Sequence, residues 1–306
     1  MICHFSKRSL RCHRKKEITT TIPKSLSKYI GGKQRLAAQL VQLMPPHERY
    51  IEAFAGMASV FLTKPKSLIN YVNDLNGNII NLFSVAREQP EALAKLIQLT
   101  PYAQDQFNEW SNLYLQHRGE FDKLSSLKRA LIFYYILRCA YNSNFKEIKK
   151  LKTVSYIVAK TWGNEAMLDN IFAFSKFTQG VVFTSLDYRE LIDKYADGET
   201  LVYLDPPYTM AKGRNYYEYN FSENDHKKLR DYVADTARER GTKFIISYDD
   251  SAMIKGLFDT DTSVFWHTII EDVSQSSSNI NEDGEKATKN ELVITTYDTK
   301  FLGLFG

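Results

Sequence analysis

The sequence predicts an α/β protein, a doubly wound sheet that carries an inserted helical subdomain. Three observations predict it. Short strand-like apolar runs alternate with helix-period segments before about residue 100 and again after about residue 180. The stretch between them keeps helical periodicity throughout. The apolar runs end in Gly-, Asp- or Pro-containing turns, and in open α/β sheets ligands bind at those carboxyl ends.

The elements follow in order. Between Gln34 and Leu43 the residues Leu36, Ala37, Leu40, Val41 and Leu43 recur at helical spacing, and Pro45-Pro46 stops the helix. Tyr50 to Phe54 reads as a strand breaking into a Gly-containing turn, with a helix restarting near Ala58. Leu68 to Val72 is a second strand, followed by helices from Gly77 to Ala86 and Pro90 to Leu99. Residues 102–180 are helical, with Ala130 to Leu137 as their core piece. Gly180 to Thr184 returns to strand, Arg189 to Tyr195 to helix, and Leu201 to Leu204 to a buried strand ending at Asp205. A helix from Asp225 to Arg240 has Ser222 at its cap with Asp225 three residues on, and Gly241 closes it. Lys243 to Tyr248, Val264 to Ile270 and Leu292 to Thr296 complete the strands, while Ser274 to Asn290 is polar, unpatterned and read as a surface loop.

Composition sets the class. The 306 residues are 43% hydrophobic and 25% charged, enough for a large core in one big domain or a domain with an insert. No apolar run approaches the roughly 20 residues that span a bilayer, so no membrane association is expected. The basic start has no apolar stretch behind it, which speaks against a secretory signal. Cys3, Cys12 and Cys139 form no disulfide framework, which suits a reducing cytoplasm. Cys3-His4 and Cys12-His13 lack the spacing of a structural zinc site, and no metal is expected.

The net charge of +4 is small, but its distribution is uneven. Residues 1–24 read as a basic arm, with Lys7, Arg8, Arg11, Arg14, Lys15 and Lys16 against Glu17. Residues 117–152 carry nine Lys or Arg, among them Lys128 and Arg138, against three acids. Such clusters suit phosphate contacts, and they equally suit a solvated helix face.

The most specific signal is Asp205-Pro206-Pro207-Tyr208, directly after the apolar run Leu201 to Leu204. Two prolines fix two φ angles and remove two donors, leaving a rigid loop whose carbonyls can face a ligand. Asp205 adds a carboxylate acceptor and Tyr208 a flat face. An aromatic amine needs these groups: its N–H groups donate to the carboxylate and a carbonyl, and its ring stacks on the tyrosine. Methyl transfer to such an amine needs positioning and electrostatics, not a metal or a covalent enzyme intermediate.

With this motif the chain resembles the Dam-like, adenine-specific DNA methyltransferases, in order along most of residues 25–297. Lys28-Tyr29-Ile30-Gly31-Gly32-Lys33 is similar to the family's first cofactor motif, which implies that Tyr29 and Lys33 line an S-adenosylmethionine pocket. Tyr50-Ile51-Glu52-Ala53-Phe54-Ala55-Gly56-Met57-Ala58 resembles its Gly-rich cofactor loop, bringing in Phe54 and Gly56. The chain departs from that pattern at Ala53, where the family usually has Pro, and at Ala58, where it usually has Gly. Asn73-Asp74-Leu75-Asn76 matches the ribose-binding acidic motif, and Ser185-Leu186-Asp187-Tyr188 the motif whose acid meets the cofactor's adenine amine. Asp205 also faces the cofactor by this resemblance. Tyr216, Tyr217, Tyr219 and Phe221, beside Lys212 and Arg214, occupy the loop that closes over a flipped base in the family. Arg138 to Phe145, including Asn142, loosely resembles the recognition stretch, but Lys146 to Lys150 replaces its usual continuation, so no target sequence is inferred.

The resemblance implies a Rossmann-like methyltransferase sheet formed by residues 25–99 and 181–306, with residues 100–180 as a helical target-recognition subdomain. It implies methylation of the adenine 6-amino group in double-stranded DNA by base flipping. The setting would be the cytoplasm of a bacterial or phage-infected cell, with no obligatory protein partner. Two alternatives remain at this stage: an adenine methyltransferase acting on RNA, and a catalytically silent, sequence-specific DNA-binding relative motivated by Ala58.

Overall fold

The computed structural model describes residues 22–29, 31–140, 160–208, 221–259, 263–272 and 289–300. Their strands are β1 (Arg49–Glu52), β2 (Ile69–Asn73), β3 (Val182–Thr184), β4 (Thr200–Leu204), β5 (Lys243–Asp249), β6 (Trp266–Asp272) and β7 (Lys289–Thr295). They form one sheet in the order β3-β2-β1-β4-β5-β7-β6. The first five strands run parallel, and β7 lies antiparallel between β5 and β6. Strand order reverses between β1 and β4, paired with Ile51 opposite Val202. That reversal is the switch point beside which such sheets open a binding crevice.

Strand periodicity of two sorts the core into two layers. Tyr50, Val72, Leu201, Tyr203, Ile245 and Val293 face one layer. It is shared with α1 (Ala37–Gln42), α2 (Ser59–Thr63), α3 (Gly77–Glu88), α4 (Pro90–Leu99), α5 (Gln104–Gln116), α6 (Arg118–Asp122), α7 (Ser126–Cys139) and α8 (Glu165–Phe177). Ile51, Val202, Leu204, Ile246, Tyr248 and Leu292 face the other. There they pack on α9 (Tyr188–Tyr195), α10 (Glu223–Arg240) and α11 (Ala252–Phe258). The helices of 104–177 thus continue the sheet's own core, with α7 and α8 lying against α3. Helix α7 is buried on nearly every side from Ala130 to Leu137, as expected of a helix that is apolar all round.

Local chemistry sets the ends. Pro90 opens α4, where its missing N–H costs nothing. Ser222 and Asp225 form a reciprocal capping box on α10, and Gly241 closes that helix at φ 70°. Several element bounds differ from the sequence expectation, most clearly at four places. Helix α1 begins at Ala37 because residues 34–36 form a turn. Helix α11 was not foreseen, being only seven residues long. Strand β6 starts at Trp266, while Val264 and Phe265 are buried before it. Strand β7 begins at Lys289, inside the stretch read as loop, whose residues 273–288 lie outside the described residues. No helix among the described residues is long and apolar enough to cross a membrane.

Candidate active site

A cleft opens at the carboxyl ends of β1, β2 and β4, with about 850 Å³ of empty space including its solvent-open mouth. That is the size range of small-molecule and cofactor sites. Its wall is built first by the turn after β1. Gly56 has φ 49°, and a Cβ there would stand 3.2 Å from the Tyr29 ring, so glycine is needed for both the backbone and the close approach. Ala58 is also left-handed, at φ 53° and ψ 38°, and is the only described non-glycine residue with positive φ. The turn therefore keeps a glycine-type conformation although an alanine occupies it.

The end of β2 is pinned by buried Asn73. Its amide donates to the carbonyls of Ala53 and Leu186 at 2.9 and 3.0 Å, and its oxygen accepts from Thr184 Oγ1 and Leu186 N. This ties together the ends of β1, β2 and β3. Asp74 follows, its two oxygens accepting from Gly56 N at 2.8 Å and Asn76 N at 2.9 Å. Asn76, not Asp74, caps α3. Asp74 is thus a carboxylate oriented by backbone donors at a strand end, on the cleft wall.

Strand β4 delivers Asp205 and Pro207 to the same cleft, while Pro206 is buried beneath. Lys33 donates to both Asp205 oxygens, at 2.7 and 2.9 Å, and to the Gly31 carbonyl at 3.1 Å. Its ammonium also lies 3.3 Å from Glu291 Oε1 and 4.6 Å from the Tyr208 ring centre. The Tyr208 hydroxyl donates to that same Glu291 oxygen. Ser247 donates to Asp205 Oδ1 at 3.2 Å and is paired with the Tyr203 hydroxyl at 2.8 Å. Burial pushes the Asp205 carboxyl above the usual range, and Lys33 and Ser247 offset only part of it. Burial likewise raises Glu291 against the pull of Lys33. For Lys33 burial is the largest single influence and lowers its pKa, but Asp205 and Glu291 together carry it above the ordinary lysine value.

Of the sequence-identified residues, Tyr29, Lys33, Phe54, Gly56, Asp74 and Asp205 line this cleft. Phe54 is edge-on to Phe221, which also lines it. Asp187 does not line the cleft; it is exposed at the N-cap of α9, accepting from Arg189 N. Lys128 and Arg138 stand near opposite ends of α7, with Lys128 Nζ 4.6 Å over the Trp110 ring. Asn142, Lys212, Arg214 and Tyr219 lie outside the described residues, as do residues 1–21. His226 is buried, paired with the Tyr248 hydroxyl, and held down to about 4 by burial, which fits a structural role.

Sequence reasoning missed two acids. Glu52 lines the cleft, is buried, and accepts from the Tyr50 hydroxyl and Phe61 N at 2.7 and 2.8 Å. Burial pushes its pKa up to about 8. A charge closing the apolar run Tyr50-Ile51 was the available signal. Glu291, directly before Leu292-Val293-Ile294, carried the same signal.

The family model described as D12 class N6 adenine-specific DNA methyltransferase matches residues 29–275. The chain is 27% identical over 240 residues to a DNA adenine methylase of Vibrio cholerae, covering 76% of this chain and 83% of that protein. Over 288 residues it is 25% identical to the Type II methyltransferase M1.LlaDCHI of Lactococcus lactis, covering 89% and 94%. It is also 26% identical over 265 residues to the DNA N-6-adenine-methyltransferase of Escherichia phage P1, covering 84% of this chain and 34% of that longer protein.

Proposed function

The chain belongs to the D12 class of N6 adenine-specific DNA methyltransferases, and from that membership and the cleft's geometry we propose how its residues divide the work. The observation that carries the reading is the convergence of Asp205 and Pro207 with Gly56 and Asp74 on one cleft at the switch point of the sheet. The family acts on DNA, so the RNA alternative is set aside. The silent alternative rested on Ala58, and that residue keeps the left-handed backbone of a glycine turn.

The methyl donor we assign is S-adenosylmethionine, and the cleft suits it chemically. Asp74 offers a fixed carboxylate to a ribose diol, Tyr29, Phe54 and Phe221 offer rings to a purine, and Gly56 leaves backbone accessible. When bound, that cofactor supplies an electrophilic methyl group on a sulfonium. Asp187, the N-cap of α9, is the residue we assign to the purine amine.

The target adenine, turned out of the duplex at a cost of a few kcal/mol, is held at Asp205–Tyr208. Asp205 accepts one N–H of the 6-amino group, and the Pro206–Pro207 loop adds a carbonyl acceptor. Tyr208 supplies the stacking face. Held by two acceptors, the nitrogen would turn its lone pair out of conjugation toward the electrophilic methyl, and Asp205 would take the surplus amine proton along its hydrogen bond. Lys128, Arg138, Asn142, Lys212 and Arg214, with Tyr219, are assigned to DNA, the cations to phosphates and Tyr219 to the extruded base. Residues 100–180 are assigned as the target-recognition part, and the bacterial or phage-infected cytoplasm as the setting.

The test is transfer of labelled methyl from S-adenosylmethionine to unmethylated DNA. Asp205→Ala should abolish label in adenine while the melting curve persists, because Lys33 still has Glu291 as a partner. Near-normal turnover in that variant would sink the assignment.

A further inference from the structure

Asp205, the acceptor proposed for the adenine amine, already carries three hydrogen bonds. Both Asp205 oxygens take hydrogen bonds from Lys33, and Oδ1 takes another from Ser247. An ammonium has three protons; Lys33 donates to Gly31 O and to both Asp205 oxygens, and it forms an ion pair with Glu291 Oε1. The group is thus one cation shared between two carboxylates, with side chains 6% exposed for Lys33 and Glu291 and 18% for Asp205. A carboxylate held this way in a low-dielectric site is a weaker acceptor for a neutral amine. Where the adenine amine takes the place of a Lys33 hydrogen bond on Asp205, the displaced ammonium needs another counter-charge.

Glu291 is the group placed to receive it. It belongs to β7, opposite Asp249 of β5 and Ile270 of β6, so its backbone is fixed by strands on both sides. Its Oε1 already lies 3.3 Å from Lys33 and accepts from the Tyr208 hydroxyl. We propose that Glu291 is a positioning residue of the base site: it draws Lys33 off Asp205 when the adenine amine arrives, and it holds the Tyr208 ring in place for stacking. The proposal rests on the assignment of Asp205–Tyr208 as the base site. It gives chemistry to a residue outside the Asp-Pro-Pro-Tyr loop, 86 positions downstream of Asp205.

The test replaces the charge and keeps the shape. Glu291→Gln retains an oxygen for the Tyr208 hydroxyl but offers Lys33 no counter-charge, so Lys33 closes fully on Asp205. Three readouts are taken on the full chain: cofactor dissociation constant, single-turnover methylation rate, and fluorescence of a duplex with 2-aminopurine at the target base. Single-turnover rate should fall roughly tenfold to a hundredfold, the scale on which about 1 Å of misplacement is felt. The 2-aminopurine signal should change with it, while cofactor affinity stays within about twofold of wild type, as expected for an interaction made with the base and not the cofactor. The cost of Glu291→Gln should largely vanish in a Lys33→Met background, because groups acting through one another are non-additive. A wild-type single-turnover rate in Glu291→Gln, or an undiminished cost in Lys33→Met, overturns the proposal. If Glu291→Gln does not fold, Glu291→Asp replaces it; that variant keeps the charge but withdraws it by one methylene, and a wild-type rate there overturns the proposal equally. No methyl transfer by the wild-type chain would instead remove the functional reading beneath it, and the proposal with that.

Discussion

Glu52 ends β1, Ala58 ends the turn that follows it, and each is held in an unusual state. A left-handed alanine costs about 1–2 kcal/mol relative to a right-handed one. Replacing it by glycine removes that strain, but loses a buried methyl group and frees the unfolded chain, together also on the order of 1–2 kcal/mol. Ala58→Gly should therefore leave Tm within about 3 °C of wild type. Ala130→Gly, in the buried right-handed middle of α7, should lower it by several degrees. Equal losses at the two positions in thermal melts would show that residue 58 is not strained. Glu52 presents the opposite case, a carboxyl whose folded value of about 8 stands above its ordinary 4.5. Between those values the folded state binds more protons than the unfolded one, so Glu52's contribution to stability is lost as pH rises toward 8. Glutamine mimics the neutral acid and can accept from both Tyr50 and Phe61. Glu52→Gln should therefore gain stability relative to wild type as pH goes from 5.5 to 8, with Lys64 present in both proteins. Parallel urea-melt midpoints across that range would refute a protonated Glu52.

At the scale of the element, α10 shows how a boundary supports the site. Phe221 lines the cleft, and the next residue is the Ser222 cap, which accepts from Asp225 N while Asp225 accepts from Ser222 N. Ser222→Ala should cost about 1 kcal/mol, which lowers Tm by roughly 2–4 °C in a chain of this size. An unchanged Tm would mean that the cap is idle. This helix was legible because its cap chemistry and closing glycine are local, and Pro90–Leu99 because a proline opens it. Helix α11 was not, because seven residues hold too few turns for periodicity to register. The cleft was legible where its residues sit in contiguous stretches, at Gly56, Asp74 and Asp205. Glu291 was not, because its chemistry comes from β7 inserting between β5 and β6, a pairing no local pattern records. Nor does any spacing announce that Lys33 and Asp205, 172 positions apart, form one ion pair.

For the whole molecule the governing fact is a net charge of only +4, too small for a diffuse electrostatic attraction to carry DNA binding. Affinity then has to come from local clusters aligned with phosphates. Lys128 and Arg138 stand ten residues apart on α7, about 15 Å along its axis at 1.5 Å per residue. Trp110 backs the Lys128 ammonium, and the helix beneath is locked into the same apolar layer as the sheet, so charges on α7 hold a fixed relation to the cleft. If both cations meet phosphates, each released counterion contributes close to one unit to the slope of log affinity against log salt. Lys128→Ala with Arg138→Ala should flatten that slope by about 2 for specific and nonspecific duplexes alike, while cofactor affinity stays unchanged. An unaltered slope would exclude this face of α7 from the phosphate path. A flattened slope accompanied by weaker cofactor binding would mean that the substitutions disturbed the shared core and not the surface.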